Sequence, residues 1–277
     1  MTDDIPERYK AAIEAARHAL LAKARPQVSF GALGGGSPDL MSSRVGGSIA
    51  WHPESDVPKS RSGAPLFLAL QIELAGLDPL PGFPTAGVMQ LYLADDILER
   101  GITFLPEHRN PGDYPLQQGD GFRLVVHRET SSLGAHPQLS SDTDYPVLAP
   151  EARGQAIALD FARATDQLPP ISHWQGAPIY QEFEALADED DDFDPEWAVE
   201  ALWGEWASAN HLGGYAQPLQ LDHRSFYEEF RRYDRCLINI QDLPGLELGD
   251  LNLSVLINDD DLTAGRFEDV ILMADTD

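Results

Sequence analysis

Cysteine occurs once in this chain, at Cys236. An internal disulfide is therefore excluded, and so is a cysteine-based metal site. Cys236 opens the apolar run "CLINI", so it reads as a buried structural thiol. Lysine is almost as scarce, at Lys10, Lys23 and Lys59 only. Lys plus Arg number 19 against 46 Asp plus Glu, for a formal charge of −27. Phosphates need cations opposite them, so this balance argues against nucleic acid. It argues equally against an anionic membrane surface. A basic protein partner, cation binding or plain solubility remain. No stretch approaches the ~20 apolar residues of a membrane span. The N-terminal run "MTDDIPERYKAAIEAARHALLAKARP" mixes charges throughout and lacks the uninterrupted apolar segment of a signal peptide. A cytoplasmic protein is expected.

The standard chemical motifs are missing too. "GALGGG" has glycines but no Walker lysine and no clear strand before it, so it reads as a flexible loop. There is no G-x-S-x-G elbow and no H-E-x-x-H pair. The histidines, at 18, 52, 108, 127, 136, 173, 211 and 223, form no close pair at ligand spacing. "DEDDDFDPE" alternates carboxylates from Asp188 to Glu196. A calcium loop starting at Asp188 would want Gly sixth and Glu twelfth, where this chain has Phe193 and Val199. A solvated acidic turn is the better reading. No cofactor and no metal is expected.

What is present is periodicity. Ile5, Tyr9, Ile13, Ala16 and Leu20 predict a helix over about 5–24, ended by Pro26, so that 1–30 reads as helix and linker. "LFLALQIEL", "VMQLYLA" and "FRLVVHR" predict three strands at 66–74, 88–94 and 122–128. Residues 131–204 carry only Arg153 and Arg163 as bases and read as an acidic connecting segment with helices. Within it "QAIALDFA" fits strand or helix, "APIYQEFEALA" a short helix. Asp194-Pro195 starts another helix, carrying Trp197, Leu202, Trp203 and Trp206. "CLINIQDL", "LNLSVLI" and "EDVILMAD" predict three more strands. Ser225 and Glu228 fit a capping box for a helix over "SFYEEFRRYD".

The last third echoes the first. "SRVGG" ends 24 residues before Gln71, and "NHLGG" ends 25 before Asn239. On that alignment Leu70 and Ile72 match Ile238 and Ile240, with a carboxamide on the opposite face in both. Met89, Leu91 and Leu93 match Leu253, Val255 and Ile257. A one-residue slip would have exchanged the faces. Asp95-Asp96 matches Asp259-Asp260, which reads as capping at a strand end. The expected fold is α+β, predominantly antiparallel β, with an internal pseudo-duplication (40–128 and 205–277) and flanking helices, in a single domain over 1–277.

The segments "SRVGG", "PLFLALQIEL", "GVMQLYLADDI", "LGGYAQPLQ", "CLINIQDL" and "GDLNLSVLINDDDL" together resemble the YwqG-like family of bacterial proteins of unknown function. The resemblance covers about 40–128 and 205–274. It implies the α+β fold with β duplication and brings no activity with it. The chain departs from the family in having Ala216 where Pro commonly follows Gly-Tyr, and Leu248 before Gly249-Asp250.

Gly46-Gly47 and Gly213-Gly214 read first as turns with positive φ. Their polar neighbours give a second reading. Arg44, Gln71, His211, Tyr215, Gln220 and Asn239 would line a ligand cleft between the repeats, with Trp51 and Trp203 as walls. Two function classes follow. One is a non-catalytic interaction module that binds a basic protein, in one form an immunity-type protein that neutralises a toxin. The other is an enzyme or small-ligand binder using that cleft. The acidic surface and the missing motifs favour the first, and the chain leans away from being an enzyme.

Overall fold

The computed structural model describes residues 5–33, 38–97, 115–136, 147–153, 155–203, 210–220 and 222–276. Trp206 and the Gly34–Gly36 run lie outside them. A first helix, α1 (Glu7–Leu21), buries Tyr9, Ile13 and Leu20 at the expected spacing. It ends four residues before Arg25, where a strand begins, β1 (Arg25–Ala32). The expected linker is thus part of the sheet. Pro26 sits one residue into the strand, where a missing N–H costs least, and its carbonyl accepts from Gly214 N at 2.9 Å.

Three strands follow: β2 (Arg44–Gly46), β3 (Ile49–Trp51) and β4 (Phe67–Glu73). Next are β5 (Val88–Leu93), β6 (Leu116–Gln117), β7 (Phe122–His127) and β8 (Gly134–His136). The acidic segment then contributes β9 (Ala156–Phe161) and β10 (Thr165–Gln167), so "QAIALDFA" is a strand. Its helices are α2 (Ala177–Glu189) and α3 (Pro195–Trp203). Asp194 Oδ1 caps the start of α3 by accepting from Glu196 N at 3.0 Å. The last part holds β11 (His211–Gly213), β12 (Arg235–Ile240), β13 (Leu251–Ile257), α4 (Asp259–Ala264) and β14 (Val270–Thr276).

These strands build mostly antiparallel β structure, a nearly closed, barrel-like sheet in the order β6-β14-β13-β12-β11-β1-β9-β2-β4-β5-β7. β10 pairs with the start of β1, and β3 with β8 in a separate ribbon. Its middle is the β1–β9 pair, with Phe30 opposite Phe161, Gly31 opposite Asp160 and Ala32 opposite Leu159. Outward from that pair the same register recurs on both sides. Arg44 faces Gln71 and Val45 faces Leu70 on one side. His211 faces Asn239 and Leu212 faces Ile238 on the other. Leu70 then faces Leu91, with a bulge between Leu68 and Leu70. Ile238 faces Val255, with a bulge between Cys236 and Ile238.

The apolar side chains read from the period-two pattern fill one interior core. Leu70, Ile72, Met89, Leu91 and Leu93 meet Ile238, Ile240, Leu253, Val255 and Ile257 there. Each such side chain contributes about 1.5–3 kcal/mol on burial. The opposite face is covered as well. Leu68 and Tyr92 pack under Ile49 and Trp51, and Cys236 and Leu256 pack with Tyr233 and Met273. α1, α2 and α3 share an aromatic core of Tyr9, Phe183, Phe193 and Trp203.

Two helix starts differ from expectation. "SFYEEFRRYD" is not one capped helix but two 3-10 turns, His223–Ser225 and Glu228–Arg232. The cap is Asp222, which accepts from Arg224 N. Asp222 is drawn inward by its pairing with Arg224, and the chain turns too tightly there for an α-helix to continue. At α4 the cap is Asn258, accepting from Asp260 N. The three aspartates fill the first turn behind it, where the helix dipole favours negative charge.

Both glycine pairs have positive φ: 63° and 76° at Gly46 and Gly47, 72° and 62° at Gly213 and Gly214. A Cβ on Gly46 would collide with the Ala152 carbonyl, and one on Gly47 would lie 2.7 Å from Ala156 Cβ. Gly46→Ala is expected to cost about 2 kcal/mol or more through the left-handed backbone and the collision. An unchanged urea midpoint would contradict this.

Candidate functional site

The expected site residues fall in three buried polar clusters. The first is built on β2, β4, β5 and β7. Arg44 is 1% exposed. Its Nη1 donates to the carbonyls of Asp39 at 3.1 Å, Leu40, and Ser42 at 3.2 Å. Its Nη2 donates to Ser48 O at 2.6 Å and Gln71 Oε1 at 3.2 Å. Gln71 Nε2 donates to Leu40 O and Ser42 O at 2.9 and 3.0 Å. Gln90 Nε2 reaches Gln71 Oε1 at 2.8 Å and Ala50 O at 3.0 Å. Gln90 Oε1 accepts from Tyr92 OH at 2.8 Å and lies 3.1 Å from His127 Nε2, which places the His127 proton on Nε2. Burial lowers the guanidinium to about 10, so Arg44 stays charged at neutral pH. Its charge is spread over carbonyl dipoles rather than neutralised by a carboxylate. Burial also lowers His127, helped by His52, and keeps it neutral.

The second cluster occupies the matching register on β11, β12, β13 and β14. His211 Nδ1 lies 3.2 Å from Gly213 O, which makes Nδ1 the protonated nitrogen. Its Nε2 is buried with no partner among the described residues, and burial depresses the imidazole to about 4. Asn239 Oδ1 accepts from Ser254 Oγ at 2.6 Å and Gln217 N at 3.1 Å. Asn239 Nδ2 donates to Asn252 Oδ1 at 2.9 Å. Asn252 Nδ2 donates to Asp275 Oδ1 at 3.1 Å. Asp275 Oδ2 accepts from Leu219 N and from Gln220 N. Burial raises Asp275 to about 6 against those three hydrogen bonds. Gln220 meets the cluster through its backbone only, and its side chain is exposed.

The third cluster went unnoticed in the sequence. Asp222 and Arg224 are 0% and 1% exposed. Asp222 accepts from Arg224 Nε at 2.9 Å and Nη2 at 2.7 Å. Arg224 Nη1 donates to Tyr233 O at 2.7 Å. His173 Nε2 lies 2.8 Å from Arg224 Nη2, and His173 Nδ1 accepts from Gln175 N at 3.1 Å. Both ring nitrogens therefore face N–H groups. Burial, then Arg224, hold His173 well below its ordinary value. Tyr215 packs edge-on to His173 with centroids 4.8 Å apart and under Arg25 at 4.5 Å. The tyrosine hydroxyl donates to Lys23 O. A signal was present in "DHRS": Asp222 and Arg224 stand two residues apart, close enough for a local bidentate pair.

Four of the six residues are thus joined pairwise, Arg44 with Gln71 and His211 opposite Asn239, while Tyr215 lies in the third cluster, and among the described residues no hydrogen bond links the first cluster to the second. Trp51 stands over His127 in the β3–β8 ribbon, and Trp203 donates to Pro169 O inside the helical core. What these clusters do chemically is fasten loops. The first holds 39–42 and 48, the second 217–220, the third 172–175 and 233. Cys236 lies behind them, pushed up to about 12 by burial, so it holds no thiolate at neutral pH. Among the described residues, no three His, Cys, Asp or Glu side chains are placed to hold a metal ion.

The surface carries a different feature. α2, α3 and their turn (177–203) contain ten carboxylates and no Lys or Arg. Nine of the ten are exposed; Asp190 is half-buried, accepting from Tyr9 OH at 2.7 Å. Arg8 of α1 reaches Asp192 at 2.8 Å. No helix among the described residues is long and apolar enough to cross a membrane.

Compared with protein families, residues 43–276 match a domain of unknown function, DUF1963. A comparison with curated proteins returns no match. The chain belongs to the DUF1963 family.

Proposed function

We propose that this DUF1963 protein is a non-catalytic interaction module that presents its acidic α2–α3 hairpin to a basic protein. The observation that carries this reading is the hairpin itself. It holds ten carboxylates without one base, mounted on an aromatic core of its own. Its charges face solvent and neutralise almost nothing within the chain, so their field is free to steer a cationic partner. The burial of Arg44, Gln71, His211 and Asn239, all at 1% exposure or below, supports the same reading, because apart from His211 Nε2 their donors and acceptors are committed to loops and neighbouring strands. On this reading the scaffold is two copies of one β unit, in a YwqG-like arrangement meeting at the β1–β9 pair. The matched registers and matched bulges support that pseudo-duplication.

Affinity capture from the source cell tests the proposal. A stoichiometric basic partner should be retained at low salt and released near 0.5 M, where the Debye length falls to a few ångströms. Asp188→Lys with Asp191→Lys and Asp192→Lys, all exposed, should weaken retention about tenfold or more. Recovery of no partner, or of one indifferent to these substitutions, would remove the proposal.

A further inference from the structure

The barrel-like sheet does not quite close, and the place where it stops has the makings of a strand-docking site. Backbone alternation decides which groups of β7 face β5. Gly87 O accepts from Leu74 N, and Ala94 N donates to Gly121 O. Counting by twos, Val88, Gln90 and Tyr92 turn their N–H and C=O toward β7, where they pair with His127, Val125 and Arg123. Phe122, Leu124 and Val126 therefore turn theirs outward. Phe122 O is taken by Gly119 N at 2.8 Å. Leu124 N is taken by Gln118 Oε1 at 3.0 Å, while Gln118 Nε2 donates to Phe267 O at 3.2 Å. One side-chain amide thus stands in for a strand residue between β7 and the segment leading into β14. Beyond it the substitution ends. Leu124 C=O and both backbone groups of Val126 have no partner among the described residues.

That open edge borders a groove of about 780 Å³, with Trp51, Lys59, Arg123, Val126, Arg128 and Phe267 among its walls. Asp56 and Glu268 also line it, so it is net positive in a chain of −27. Lys59 is bonded to Asp56 at 2.9 Å, and Arg128 donates to Gly265 O at 2.9 Å. Arg123 is exposed and has no hydrogen bond or ion pair among the described residues. An unsatisfied strand edge recruits a strand, and a free arginine beside it selects a carboxylate. Side chains on an added strand would alternate. One set would lie over Leu124, Val126 and Phe267, the other beside Arg123 and Lys59.

The geometry points to β7 as the docking edge for an extended acidic peptide of a partner protein, with apolar and carboxylate residues alternating along it. This goes beyond the proposed function, since it uses a different face and the opposite charge. The probe is an acetylated, amidated peptide alternating Val and Asp over about eight residues, titrated by NMR on the full chain. It should shift the amides of Val126 and Arg123. Arg123→Glu should weaken it about tenfold or more while leaving the circular dichroism spectrum unchanged. A version N-methylated at alternate residues, unable to pair with an edge, should lose binding to a similar extent. Equal binding of a Val-Lys peptide, or of the N-methylated peptide, would overturn the proposal. So would no binding at millimolar peptide. Saturation of the same shifts by free succinate at comparable concentration would assign the groove to small organic anions and overturn it too.

Discussion

Arg44→Met is expected to destabilise the protein by about 3–5 kcal/mol, enough to remove a large part of a typical domain's stability. Methionine replaces much of the volume but none of the donors. The carbonyls of Asp39, Leu40, Ser42 and Ser48 and the Gln71 side chain all lose a charge-assisted hydrogen bond. An orphaned buried acceptor costs roughly 1–3 kcal/mol. Gln71 still serves Leu40 and Ser42, which keeps the loss below the sum of five. Arg44→Lys should recover only part, because a point ammonium cannot span acceptors that a planar guanidinium reaches on both sides. The matching position discriminates. His211→Leu removes one hydrogen bond, to Gly213 O, and also an unpartnered Nε2. Its cost should stay below about 1.5 kcal/mol. Urea unfolding of the three variants decides the matter. A midpoint for Arg44→Met within about 0.5 kcal/mol of wild type would show that Arg44 is not a structural fastener.

That contrast shows where the sequence was informative. Leu70, Ile72, Leu91 and their counterparts alternate at period two because one sheet face is buried, so their strands and relative register could be read directly. Gln71 and Asn239 were visible as polar intrusions on the other face. That this face is also covered was not visible, since the covering comes from β3, β8 and distant loops. Polar groups there read as solvent-facing or ligand-facing, and the structure commits them to carbonyls of residues 39–42 and to backbone N–H groups of residues 217–220. β1 was missed for a related reason. Val28 and Phe30 are two apolar positions beside Pro26 and Gly31, too few for a periodicity, and the strand exists because β9, β10 and β11 pair with it. Arg224 was hidden because a basic residue in an acidic chain reads as surface. Only its partner at Asp222, two residues away, makes burial affordable.

Asp222→Ala should be the most damaging change in the second half of the chain, at about 3–5 kcal/mol, because it strands the Arg224 guanidinium at 1% exposure. Among the described residues Tyr233 O and His173 would remain as its hydrogen-bond partners, and neither neutralises it. Asp222→Ala combined with Arg224→Met should regain much of the loss, since an apolar pair of similar volume requires no buried charge. The pH dependence separates this pair from the other buried groups. Burial alone would raise Asp222, but the charge and hydrogen bonds of Arg224 outweigh it and bring the carboxyl to about 2. Its folded value lies below the ordinary 3.8. Its contribution is therefore present above pH ~4 and is lost as pH falls from there toward ~2. A shift of that size corresponds to roughly 2–3 kcal/mol. Asp275 has the opposite sign. Raised to about 6, it favours the folded state while protonated, and that contribution is lost as pH rises from ~4 through ~6. His173 and His211 are depressed by burial, so their contribution fades as pH falls below about 6.5. Of Asp222, Asp275 and His211, only Asp222 titrates in the folded protein near pH 2. Stability measured from pH 4 down to 2 should fall more steeply for wild type than for the Asp222→Ala, Arg224→Met protein. Parallel slopes would mean that the pair is not ionised in the folded state and that its hydrogen bonds alone hold the loop.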